Sequence, residues 1–100
     1  MPPLPVVEVF SKPDCHLCED VKSLLQELQA SQPFLLREVN ITLDATLHAQ
    51  YGEAVPVVFI NGRKICKYRV DVAQFVRRLQ QARRDKPATW WQRFWQRGNA

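Results

Sequence analysis

Asn61-Gly62 stands between two short runs suited to β-strands, Val57-Val58-Phe59-Ile60 before it and residues 63–69 after it. Asn-Gly is the pair a type I′ turn selects, because both central residues take positive φ, and a two-residue turn joins strands only as an antiparallel hairpin. The chain upstream is connected differently. Val6-Val7-Glu8-Val9-Phe10, bounded by Pro5 and by Ser11-Lys12-Pro13, reads as a buried strand. Residues 16–31 carry Leu17, Val21, Leu24, Leu25 and Leu28 at helical spacing, closed by Pro33, and we expect Leu17, Val21, Leu24 and Leu28 to form the core stripe. Residues 34–41 are a second strand, so a helical crossover joins the first two, and such a crossover is right-handed between parallel strands. A short helix over residues 44–51 is stopped by Gly52. After the hairpin, Asp71 can cap a final helix, with Gln74 at the capping-box position, Val70 facing Phe75 as a staple, and Val72, Phe75, Val76 and Leu79 on the apolar face. The order β-α-β-α-β-β-α predicts an α/β fold in which helices flank a four-stranded mixed sheet.

At 100 residues the chain has room for a single core, and 46% hydrophobic against 24% charged residues excludes collagen-like and disordered classes. No segment approaches the roughly 20 apolar residues of a membrane-spanning helix. Met1-Pro2-Pro3-Leu4-Pro5 lacks the basic and apolar regions of a secretory signal, so the expected compartment is the cytoplasm. Three cysteines are too few and too uneven for a secreted disulfide framework. Charge is divided along the chain: residues 1–62 hold three Lys and Arg against eight acids, and residues 63–100 hold eleven against two. Such an asymmetry polarises the molecule if the two stretches separate in space.

Cys15-His16-Leu17-Cys18 falls where the first strand gives way to the first helix. On a helix an i, i+3 pair puts two sulfurs on one side of a single turn, close enough for a small disulfide ring. The first sulfur lies beside unpaired backbone N–H groups and the positive end of the helix dipole, which favour thiolate over thiol. Cys15 is therefore the candidate nucleophile, and Cys18, one turn in, the sheltered thiol that resolves a mixed disulfide. Lys12 adds positive charge near Cys15, while Asp14, Glu19 and Asp20 oppose it. His16 either tunes Cys15 and moves protons or is simply solvated; we count it among the substrate-contacting candidates. His48 reads as a surface residue, and Cys66, in the hairpin, as a small packed apolar side chain rather than a second redox partner.

The strand leading into Ser11-Lys12-Pro13-Asp14-Cys15-His16-Leu17-Cys18, then Val55-Pro56 opening the third strand, then a hairpin and a last helix, resembles a glutaredoxin-like protein of the thioredoxin superfamily over about residues 5–84. It is most similar to small members with a Cys-His-Leu-Cys site and a segment like Asp44-Ala45-Thr46-Leu47 before Tyr51-Gly52. The resemblance implies a thioredoxin-like fold and a cis bond before Pro56 facing the cysteine pair. It also implies that the Val55 backbone pairs with the substrate strand and that Lys12 assists both the thiolate and glutathione binding. Glutaredoxins usually carry Pro-Tyr between the cysteines and threonine before the cis proline; here those places hold His16, Leu17 and Val55. Where the family commonly has Gly-Gly and then Asp to receive glutathione, this chain has Ile65-Cys66-Lys67-Tyr68-Arg69-Val70-Asp71, in which Asp71 alone matches. The resemblance thus supports thiol chemistry more strongly than it supports glutathione as the partner.

The expected function is thiol–disulfide exchange, with Cys15 and Cys18 catalytic and Lys12, His16, Val55, Pro56 and Asp71 at the substrate. Substrates are disulfide-containing proteins or glutathione mixed disulfides, and the reductant is glutathione or a thioredoxin-type reductase. No cofactor or metal is expected to reside in the site, an iron–sulfur cluster included; zinc lacks a second Cys-x-x-Cys or a His pair. The alternatives are a non-catalytic module acting through the C-terminal tail and a Cys-x-x-Cys metal or iron–sulfur carrier. We divide the chain into a domain over residues 1–85 and a basic, Trp-rich extension over residues 86–100. On a short helix the extension would gather Trp90, Trp91, Phe94 and Trp95 on one face. That face suits the protein's own surface, a partner protein or a membrane surface better than nucleic acid. The protein is expected to be a monomer.

Overall fold

The structure is a computed structural model and describes residues 4–84. The aromatic extension therefore lies outside the described residues. Four strands and three α-helices follow the predicted order: β1 (Val6–Ser11), α1 (His16–Gln29), β2 (Leu35–Asn40), α2 (Ala45–Tyr51), β3 (Val57–Ile60), β4 (Arg63–Lys67) and α3 (Val72–Arg84). The sheet order is β2-β1-β3-β4. β1 runs parallel to β2 and antiparallel to β3, and β3 runs antiparallel to β4. The hairpin follows from its turn: Asn61 and Gly62 have φ of 50° and 83°, and Ile60 pairs with Arg63. Asn61 also ties the turn to the start of β1, its Oδ1 accepting from Val6 N at 2.9 Å and its own N–H donating to Val6 O at 2.8 Å.

Alternation along β1 and β3 sorts side chains to two faces. Val7, Val9, Val58 and Ile60 meet Val21 and Leu25 of α1 and Phe75 and Leu79 of α3 in one buried cluster. Phe10, Val57 and Phe59 point the other way, where Ile41 completes a second cluster against which Leu47 and Tyr51 of α2 pack. Tyr51 meets Phe10 edge to face, ring centroids 5.2 Å apart. Both ends of α3 are anchored: Gln74 N donates to the Asp71 carboxylate at 3.1 Å, and Arg83 donates to the Pro33 carbonyl at 2.7 Å. No helix among the described residues is long and apolar enough to cross a membrane.

Several sequence expectations shift. The buried stripe of α1 is Cys18, Val21 and Leu25, with Leu28 partly buried, and Leu17 is 44% exposed. The helix begins at His16, so Leu17 falls in its first turn, on the side away from the sheet. Val72 is likewise exposed at the start of α3. The second strand ends at Asn40, whose side chain accepts from Thr42 N and turns Ile41–Leu43 into a single 3₁₀ turn. The fourth strand ends at Lys67, because Tyr68 adopts a φ of 69°. Its register slips between Val58 and Phe59, which face Cys66 and Lys64, so a bulge at Ile65 leaves Ile65 and Cys66 both half-buried against the first cluster. The revised stripe is checked by urea denaturation: Leu25→Ala should lose about 2–5 kcal/mol, and Leu17→Ala within about 1 kcal/mol of the parent.

Candidate active site

After β1 the chain turns through Asp14, whose φ of 59° suits a short polar side chain, and delivers Cys15 in extended conformation as the N-cap of α1. The Cys15 sulfur accepts a hydrogen bond from Cys18 N at 3.1 Å, the part a Ser or Asp oxygen plays at most helix starts. Glu19 N then donates to Cys15 O at 3.1 Å, closing the first turn. Cys15 and Cys18 are at disulfide distance, with their Cα atoms 5.2 Å apart. Their exposures differ: Cys15 is half-buried, and Cys18 is 1% exposed inside the second apolar cluster.

Val55 belongs to the same cluster and Cys15 packs against it, so the segment before β3 and the helix start share one apolar floor. The Val55–Pro56 peptide bond is cis, and both residues are buried. This segment is held from two sides. Lys12 donates its Nζ hydrogen to the Gly52 carbonyl at 3.0 Å, so its hydrogen bond goes to the loop. From β4, Tyr68 N donates to Pro56 O at 2.8 Å, and Tyr68 Oη donates to Glu53 O at 3.2 Å.

Among the sequence candidates, the structure brings Cys15, Cys18 and Val55 together, with Pro56 next in the chain and Lys12 on the loop that leads to them. His16 is exposed at the first position of α1. Asp71 is exposed, and its carboxylate caps α3. Tyr68 is a site neighbour that sequence reasoning missed. It is the residue immediately after β4, and nothing in its side chain announces a positive φ.

A polar anchor fixes the end of β1 just before Lys12. Ser11 Oγ donates to Glu38 at 3.0 Å, and Lys22 Nζ reaches Glu38 at 2.7 Å and Glu19 at 2.9 Å. The Lys22 hydrogen bond holds the Glu38 carboxyl below its ordinary range, with Ser11 helping, and Glu38, then Glu19, raise Lys22. Glu38's contribution is present above its unfolded pKa and is lost as pH falls through the lowered value. That of Lys22 is present below its unfolded pKa and is lost as pH rises through the raised one. The pair is exposed, so its worth is about 1 kcal/mol or less. Burial alone pushes the Cys66 thiol up, which separates it chemically from the helix-capping sulfur.

The family model described as "Glutaredoxin-like domain (DUF836)" matches residues 6–80. An uncharacterized protein of Mycobacterium tuberculosis is 29% identical over 72 residues, which are 67% of this chain and 74% of the relative. The solution structure of a Nitrosomonas europaea protein superimposes with a TM-score of 0.65 at 30% identity, covering 72% of this chain and 87% of that one. Thioredoxin O2 from Arabidopsis thaliana, in its oxidized state, gives 0.55 at 25% identity, covering 80% and 76%.

Two measurements check the site. Followed by NMR, the Glu38 carboxyl should titrate below an ordinary glutamate, and Lys22→Met should return it toward that value. In the reduced protein at neutral pH, iodoacetamide should modify Cys15 first and Cys66 much later, as mapped by peptide mass.

Proposed function

Because the chain belongs to the glutaredoxin-like domain family of the thioredoxin superfamily, we propose that it is a thiol–disulfide oxidoreductase with Cys15 as nucleophile and Cys18 as resolving thiol. The observation that carries this reading is the unequal exposure of two sulfurs within reach of each other, the accessible one bonded to a helix N-terminal N–H. In the reduced protein the Cys15 thiolate attacks one sulfur of a substrate disulfide. A Cys15–substrate bond forms, and the substrate S–S bond breaks to release a thiolate that takes a proton from water. Cys18, deprotonated, then attacks the Cys15 sulfur, the second substrate thiol leaves, and the Cys15–Cys18 disulfide remains. Two electrons have passed to the substrate.

An external thiol reductant, glutathione or a thioredoxin-type reductase, restores the pair. A cytosolic thiol pool fits this cycle, since it keeps such sites reduced between turnovers. The stabilised Cys15 thiolate helps most as a leaving group in the second step, because attack gains little from a lowered pKa. Val55 and Pro56, which precede the β3 ladder, edge the docking groove, and His16 stands exposed beside it. Lys12 supports the groove by holding Gly52.

The test is a pair of variants. Cys18→Ser should accumulate a mixed disulfide on Cys15, seen as an added substrate mass that dithiothreitol removes. Cys15→Ser should lower exchange to the uncatalysed background. Two variants as active as the parent would overturn the reading.

A further inference from the structure

Tyr68 connects the docking groove to the most basic stretch of the described protein. Its N–H holds Pro56 O, and Arg69 N donates to Lys67 O at 2.8 Å, so Lys67, Tyr68 and Arg69 form a tight three-residue turn around a positive φ. A tyrosine is disfavoured in that conformation, and its two bonds to the Glu53–Pro56 segment hold it there. The turn leaves Lys67 and Arg69 exposed on either side of a residue bonded to Pro56, with the Lys67 ammonium 5.4 Å from the Tyr68 ring centre. Arg63 and Lys64 continue the charge along β4. Residues 63–84 hold eight Lys and Arg against one acid, Asp71, and that carboxylate is engaged in capping α3.

Among the described residues β4 is also an edge strand, with β3 as its one neighbour in the sheet. Basic side chains on an edge repel a second copy of the same edge, but they attract an acidic chain that could pair with the exposed backbone. The start of α1 carries acids instead, with Asp14, Glu19 and Asp20 all exposed.

We propose that the basic rim formed by β4 and the Lys67–Arg69 turn docks acidic polypeptides, so that the preferred disulfide substrates carry Asp and Glu beside the reacting cysteine. This rests on the exchange reading above and adds the class of substrate. A polypeptide is favoured over a nucleic acid because the rim combines its charge with a strand edge that is unpaired among the described residues, and because Tyr68 bonds it to Pro56, the neighbour of the Val55 that packs with Cys18. Charge of this kind acts mainly on encounter and is screened by salt.

The test uses full-length protein, reduced beforehand and mixed in stoichiometric excess with one of three disulfides: a peptide with acidic flanks, a matched peptide with basic flanks, or neutral hydroxyethyl disulfide. Loss of the two protein thiols is followed in time. At low salt the acidic peptide should react about tenfold faster than the basic one, and the ratio should approach one near 0.5 M salt. Lys67→Glu with Arg69→Glu should shrink or invert the ratio. Equal peptide rates at low salt, with the neutral disulfide still reduced, would overturn the docking proposal alone. Failure to reduce any of the three would overturn the exchange reading and this inference with it. Absence of an acidic preference together with oligonucleotide binding that the double variant abolishes would assign the rim to nucleic acid and likewise overturn it.

Discussion

Helix α1 starts on a sulfur atom, and that contact fixes where the cysteine pair stands. The N–H of Cys18 needs an acceptor, because the first turn of a helix has none of its own, and the Cys15 sulfur supplies it at 3.1 Å. The contact is present with the two sulfurs at disulfide distance, so oxidation and reduction need not rebuild the helix start. In the proposed exchange cycle a Cys15 thiolate would make the same bond charge-assisted, with the helix dipole adding to it. Under that proposal the fold stabilises the leaving form of Cys15 through a group it must satisfy in any case.

The second requirement is a surface against which a substrate can be held beside that sulfur. It comes from the neighbouring strand, because β3 runs antiparallel to β1 and its start, Val57, pairs with Phe10 near the end of β1, so the chain entering β3 lies at the same end of the sheet as the helix start. Val55 shares a buried cluster with Cys18, so the two halves of the site are joined by packing, and Lys12 and Tyr68 fix the loop from opposite sides. A charged donor on a carbonyl and a buried floor are both stiff constraints, which is what positioning a disulfide for in-line attack demands.

The order of elements was legible because each boundary has a local cause: Asn61-Gly62 for the hairpin, Asp44 and Asp71 as caps, Pro33 after the first helix. So was the difference in exposure between Cys15 and Cys18, since helix phase alone separates an N-cap from the buried third position. What was misread depended on contacts distant in the chain. Leu17 matched the period of the stripe, but the buried face is set by where the sheet lies, and Cys18 takes the place an apolar residue would hold. The bulge at Ile65 and the turn at Tyr68 arise from pairing with β3 and Pro56, which no local pattern encodes. Lys12's hydrogen bond to Gly52, 40 positions on, is a further long-range contact that no local pattern encodes.

A redox helix start with Asp14, Glu19 and Asp20 around it looks self-defeating, since those charges oppose the thiolate. The kinetics of exchange show why the opposition is tolerable. For a thiol whose pKa falls by about two units from 8.5, the thiolate fraction at neutral pH rises roughly 25-fold, but a Brønsted slope of about 0.4–0.5 returns most of that as weaker nucleophilicity. Attack therefore gains only a few-fold, and acids that limit the fall in pKa sacrifice little of it. They also leave exposed acids at the helix start while the exposed cations gather on β4 and the turn after it, and under the docking proposal a charge division of that kind orients a charged partner before any covalent step begins.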